Sequence, residues 1–187
     1  MKDFWIYTDC HAFTPQSLGT ENLLNLDRKK VLELNAYSIG DNFDRKNCTP
    51  EWKESLEFEY AKHKEIFRDR FLTGNHDVMH DRYGIIKADN VLLVHGDFVW
   101  GDERSEEFRA SDAYQGYGIV KQTIAWMRHI IGAFYTKSDK DKCAELAKKY
   151  MCDTLIMGHK HPAKLIDFMH NGVRIICCPR GYTKVTL

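Results

Sequence analysis

The sequence predicts an α/β domain built around a mixed β-sheet core. Three features point there: short apolar runs that each stop at Asp, Gly or His, amphipathic stretches at helical spacing between them, and two late β-rich runs around Asn171-Gly172. Strands that alternate with helices early and form a hairpin late make a mixed sheet. A chain of 187 residues fits one domain, residues 1–187, and is long enough to bury a real core.

The elements follow in order. Residues 4–8 (Phe-Trp-Ile-Tyr-Thr) are β-rich and run into Asp9 as a first strand, and residues 34–39 reach Gly40 as a second. Thr49-Pro50-Glu51 reads as a helix start, with a capping hydroxyl, a proline at the first position and an acid that suits the dipole. That helix is expected to run to about Arg68, with Trp52, Leu56, Tyr60 and Phe67 on one side. Phe71-Leu72-Thr73 is a short strand into Gly74, and the continuous apolar run 91–94 has the character of a buried strand.

Residues 99–112 are polar enough for a loop, and Val120, Ile124, Met127, Ile131 and Phe134 then recur at helical spacing as a core-facing stripe. A second amphipathic helix over 139–150 follows through Cys143, Leu146 and Ala147. Thr154-Leu155-Ile156-Met157 leads into Gly158, the runs 165–169 and 173–177 flank the Asn-Gly hairpin turn, and residues 180–187 add a last strand. The stretch 99–150 is the largest insertion between these elements and is the natural candidate for a lid or substrate-selecting element.

Lys plus Arg and Asp plus Glu both number 27, so no general basic field exists to gather nucleic acid. No apolar run is long enough for a transmembrane segment, and the N-terminus lacks a signal-peptide pattern. Six cysteines are scattered without a C-x-x-C pair, which fits reduced thiols and a cytoplasmic setting. Cys10 is expected to point away from its neighbours Asp9 and His11 and to serve packing.

Five short motifs stand at the strand ends: Asp9-x-His11, Gly40-Asp41-x-x-Asp44, Gly74-Asn75-His76-Asp77, His95-Gly96-Asp97 and Gly158-His159-Lys160-His161. Mixed N and O ligands of this kind suit borderline metals such as Mn, Fe, Ni or Zn, whereas calcium takes an all-oxygen cage. Strand period would place Asp9 and His11 on one face, and the same spacing would let His159 and His161 address neighbouring metals while Lys160 points away. Glycines before Asp41, Asn75 and His159 let the backbone turn sharply and come close.

In these motifs, in this order, the chain resembles the calcineurin-like metallophosphoesterase superfamily, over residues 9–161. The resemblance implies a four-layer αββα sandwich with two mixed sheets and a dinuclear metal site on loops at one end. It also implies that Asp9, His11 and His161 hold one metal, that Asn75, His95 and His159 hold a second, and that Asp41 bridges them. Manganese is the leading candidate. Two metals would clamp a phosphate and generate a hydroxide nucleophile, with a small phosphoester as substrate.

His76 would then protonate the leaving oxygen, and Asp44 would orient it and favour its charged form. Asp77 and Asp97 are expected to accept hydrogen bonds from ligand histidines or backbone amides. Arg45, Lys46, Arg104 and Arg180 lie where a phosphate could meet them, whereas His63, His80, His129 and His170 read as surface or satisfied core residues. The reaction implied is phosphodiester or pyrophosphate hydrolysis, with some similarity to the UDP-diacylglucosamine pyrophosphatase branch, which carries arginine where His76 stands. The alternatives are a phosphomonoesterase, protein phosphatases included, and a scaffold of the kind found in the retromer complex, which binds protein partners and lacks effective catalysis.

Overall fold

The computed structural model describes residues 2–15, 17–44, 47–74, 76–77, 84–96 and 137–187. In chain order these form β1 (Asp3–Thr8), α1 (Thr20–Leu24), α2 (Arg28–Glu33), β2 (Ala36–Ile39), α3 (Lys53–Phe67), β3 (Phe71–Leu72), β4 (Ile85–Ala88), β5 (Val91–Val94), α4 (Lys137–Lys149), β6 (Thr154–Met157), β7 (Ile166–His170), β8 (Val173–Cys177) and β9 (Gly181–Thr186). They build two mixed sheets, one ordered β3-β2-β1-β9 and the other β4-β5-β6-β8-β7. β1, β2 and β3 run parallel, as do β5, β6 and β8, while β9, β4 and β7 pair antiparallel at the edges.

Strand alternation sorts the apolar side chains into three cores, which makes the architecture four layers deep. Phe4, Ile6, Tyr37 and Ile39 of the first sheet meet Leu93, Ile156 and Ile176 of the second between the sheets. Tyr7 and Ala36 face the other way, onto Leu23, Val31, Leu56, Tyr60 and Phe67 of α1, α2 and α3. On the far side, Leu92, Val94, Leu155 and Ile175 pack against Cys143, Ala144 and Ala147 of α4. Strands buried on both faces must be apolar at successive positions, which is why β5 and β6 read as continuous runs.

The expected helix beginning at Thr49 starts differently. Pro50–Trp52 is a 3₁₀ turn, and α3 proper begins only at Lys53. The Trp52 amide donates to the Thr49 carbonyl at 3.0 Å, and the Thr49 hydroxyl makes no cap. The three-residue period of that turn rotates Trp52 off the α-helical stripe, so it is half exposed and the buried face is Leu56, Tyr60, His63 and Phe67. The stripe over 114–135 and residues 99–136 of the supposed lid lie outside the described residues. The described remainder, α4, packs Cys143, Ala144 and Ala147 into the core. Among the described residues no helix is long and apolar enough to cross a membrane.

Asn171 and Gly172 close the β7–β8 hairpin with φ of 50° and 78°, the left-handed pair a tight two-residue turn requires. Ile156, wholly buried between the sheets, supplies a check on the layer assignment. Ile156→Ala is expected to destabilise the fold by about 2–5 kcal/mol, read as a lower urea midpoint at unchanged slope.

Candidate metal centre

The carboxyl ends of β1, β2, β3, β5 and β6 open onto one edge of the sandwich, and each carries one of the five motifs. Backbone ladders continue past the strands to hold these ends together: the Asp9 amide donates to the Gly40 carbonyl (3.0 Å), the His11 amide to Asp41 (3.0 Å) and the Gly158 amide to His95 (3.0 Å). Two further bonds join the sheets. His95 Nδ1 lies 3.0 Å from the Ile39 carbonyl, and the His159 amide donates to Asp9 Oδ2 at 2.9 Å.

Among the described residues three groups of side chains present ligand atoms within 4.8 Å of one another: Asp9 with His11 and His161, Asp41 with His95 and His159, and His11 with Asp44 and His76. Asp9 Oδ1 sits 2.8 Å from His161 Nε2, while its Oδ2 accepts the Thr8 hydroxyl at 2.7 Å. Asp41 Oδ2 is 3.1 Å from His95 Nε2, and His95 Nε2 is 3.3 Å from His159 Nδ1. Asp41 Oδ1 accepts the His76 amide at 2.6 Å. The expected ligand Asn75 and the expected supporting residue Asp97 lie outside the described residues, as do Arg45, Lys46, Arg104, His80 and His129.

Strand period is not what brings the paired motif residues together. Asp9, His11, Asp41, His159 and His161 all have φ between 47° and 67°, the left-handed region that non-glycine residues rarely occupy, at a cost of about 1–2 kcal/mol each. The chain leaves β1 and β6 in successive left-handed bends, and the bends aim the side chains. Cys10 is nonetheless buried on the helix side of its sheet, as alternation suggested, and burial pushes its thiol pKa up.

Close approach explains two of the glycines. A Cβ on Gly74 would stand 2.7 Å from both the amide nitrogen and the carboxylate carbon of Asp41, and one on Gly158 would collide with the Thr8 hydroxyl and the Asp9 carboxylate. Asp77 completes the support. Its Oδ2 accepts the amides of Asp41 and Gly74 at 2.8 Å each, and its Oδ1 accepts the Phe43 amide at 2.9 Å. Burial and the neighbouring Asp41 charge raise its pKa, against the amides that lower it. Sequence reasoning missed Asn42, whose amide nitrogen donates to the Tyr7 carbonyl and the Ser38 hydroxyl. It also missed Thr8 and Asn47.

Asp9, Asp41 and Asp44 are all buried. Burial works against the ionisation of Asp9 and Asp41, but His161 and His95 hold Asp9 low, and His95 holds Asp41 low. The Asp9 charge opposes that of Asp41. Asp44 is likewise held well below the carboxylate range, despite burial, by hydrogen bonds from His11, His76 and Asn47. Burial and the nearby His95 lower the His159 pKa to about 3, so that ring is neutral at physiological pH and offers a lone pair.

Hydrogen bonds on the outer nitrogens orient two rings. His11 Nδ1 is committed to Asp44 Oδ2 at 2.9 Å, and its buried Nε2 has no protein partner. With its Nδ1–H on the Ile39 carbonyl, His95 turns Nε2 toward Asp41 and His159. Buried carboxylates and imidazoles that converge with their ligand atoms within 4.8 Å, His11 Nε2 among them, are a donor set that fits a divalent metal. Outside the centre, His63 is buried with its ring nitrogens 2.6 and 2.8 Å from the Glu59 and Leu23 carbonyls, and His170 pairs with Asp141 at 2.8 Å.

A two-sheet sandwich that gathers buried Asp and His at its strand ends presents a candidate metal centre. The chain belongs to the calcineurin-like phosphoesterase family, whose model matches residues 3–163. A search of the curated proteins found no match. Among solved structures, the chain is similar to a conserved uncharacterized protein, a predicted phosphoesterase, from Streptococcus pneumoniae (11% identity, 99% of this chain and 83% of that one, TM-score 0.49). It is also similar to a cold-active protein tyrosine phosphatase from a Shewanella species (16% identity, 98% and 75%, TM-score 0.48). A third is zinc-complexed Vps29 from Entamoeba histolytica (14% identity, 96% and 74%, TM-score 0.43).

Gly158→Ala tests the close approach of two strand ends. Because its Cβ would displace Asp9, the variant is expected to bind Mn²⁺ at least about tenfold more weakly than wild type in a calorimetric titration.

Proposed function

We propose that this protein hydrolyses phosphoesters, with diesters or pyrophosphates preferred, at a centre of two divalent cations. The observation that carries the reading is the buried Nε2 of His11, turned inward by Asp44 and left without a protein partner beside Asp9 and His161. Asp9, His11 and His161 would hold one cation, and His95 and His159 the other, with Asn75 assigned to the second by its motif. Asp41, which adjoins His95 and opposes the Asp9 charge, is assigned to both. Imidazole and carboxylate together suit manganese first, with iron, zinc or nickel as substitutes.

Two such ions would supply Lewis acidity to a phosphoryl oxygen and acidify an attacking water. His76 is the group left to handle the leaving oxygen. Its ring is about one-quarter exposed, so a substrate can reach it, and its Nδ1 lies 3.2 Å from Asp44 Oδ1. A carboxylate at that position favours the imidazolium, the form a general acid must have. Asn47 steadies Asp44 in turn, donating its amide N–H at 3.1 Å and its side-chain N–H at 2.7 Å. Asp44 thus orients one ring toward the metal position and another toward the leaving group.

The test is hydrolysis of bis-p-nitrophenyl phosphate against p-nitrophenyl phosphate with added Mn²⁺. Diester turnover is expected, and Asp41→Asn is expected to remove activity and paired metal binding together. His76→Ala should keep both metals while slowing hydrolysis of esters with poor leaving groups about 10²-fold or more. Unchanged turnover in His76→Ala would refute the general-acid role. Monoester preference would make the protein a phosphatase, and metal binding without turnover of either ester would favour the scaffold reading.

A further inference from the structure

Two loops leave the metal centre side by side and wall a cavity of about 360 Å³. One continues from His11 into Phe13 and Thr14, and the Thr14 hydroxyl donates back to the His11 carbonyl at 2.8 Å. The other continues from Asp44 and Asn47 into Thr49, Glu51 and Trp52. The cavity walls are thus the chain segments that follow His11 and Asp44 in sequence, and Thr14 ties one of them to the His11 backbone.

Its lining is specific in character. The Phe13 and Trp52 rings meet at 6.1 Å between centroids and 40° between planes, forming an open V. Trp52 is 50% exposed, unusual for so large an apolar side chain, and α3 begins one residue later without covering it. Phe13 is held at φ 64°, a strained conformation for an aromatic residue and one that tends to gather at binding sites. Among the described residues the polar lining consists of hydroxyls and the Glu51 carboxylate. Past Phe13 a second cavity of about 420 Å³ continues between Leu24 and Phe58, again with acids, Glu54 and Glu59, at its rim.

Aromatic walls beside hydrogen-bond acceptors suit a flat, uncharged ring that carries N–H donors. We propose that the Phe13–Trp52 cavity is a subsite for a heteroaromatic ring of the nucleobase type, which stacks on Trp52 and donates hydrogen bonds toward Glu51. The subsite makes the substrate an ester in which one alcohol is a nucleoside. That consequence rests on the phosphoester reading above, but binding of the ring does not.

The experiment is calorimetric titration of the full chain, loaded with Mn²⁺, with adenosine and with ribose, in wild type and in Trp52→Ala. Saturable adenosine binding, no ribose binding, and at least about tenfold weaker adenosine binding in Trp52→Ala are expected. Because Trp52 is half exposed, an unchanged melting temperature should confirm that the variant folds. Failure of adenosine to bind wild type, or equal binding by both proteins, would overturn the subsite. Capture of an apolar peptide without any nucleoside binding would overturn it too, in favour of a protein contact. Adenosine binding without hydrolysis of any ester would leave the subsite standing and remove the phosphoester reading alone.

Discussion

The His95 imidazole on the Ile39 carbonyl and the His159 amide on the Asp9 carboxylate are bonds that tie the edge of one sheet to the edge of the other. The apolar layer between the sheets holds them face to face, but dispersion and hydrophobic contact have little direction and leave one sheet free to slide on its neighbour. The polar pair fixes the offset. It also spends the outer nitrogen of His95 and one oxygen of Asp9 on structure, so the remaining atoms of both groups face the centre. Asp77 does within the first sheet what these bonds do between sheets, gathering three amides from the ends of β2 and β3.

The strand runs were legible because burial on both faces leaves little room for polar residues. The runs ending at Asp9, Gly40, Gly74, His95 and Gly158 match β1, β2, β3, β5 and β6 closely. The Asn171-Gly172 turn was legible because so few residues tolerate its backbone. What the sequence did not disclose has equally plain causes. The short helices α1 and α2 carry too few turns for a period to show, although Asp27 caps α2 by accepting the Lys30 amide. β4, an edge strand with an exposed lysine, lacks the apolar signature of its neighbours. The left-handed backbone at Asp9, His11, Asp41, His159 and His161 has no marker in residue type, since none of these residues is glycine.

Asp44 shows how one carboxylate can hold two histidines at once. At His11 it engages Nδ1, which leaves the buried Nε2 on the inner side of the ring. At His76 it stands 3.2 Å from Nδ1 of a ring that is about one-quarter exposed. The geometry separates the tasks by oxygen, Oδ2 for His11 and Oδ1 for His76, and the Asn47 amides pin the carboxylate between them.

β1 carries the first motif yet has its sheet neighbours at β2 and at β9, the last strand of the chain. Lys2 and Leu187 exchange backbone hydrogen bonds at 2.8 and 3.0 Å, so the sheet closes head to tail. During synthesis, β1 therefore waits with one edge unpaired until β9 has been made. Such long-range pairing slows folding, because loop-closure entropy is lost before the contacts that offset it are formed. Asp9, at the end of that strand, can reach its final position only once β9 has emerged. Assembly of the centre is thus a late event on the folding path, and a nascent chain carries its first motif long before it can use it.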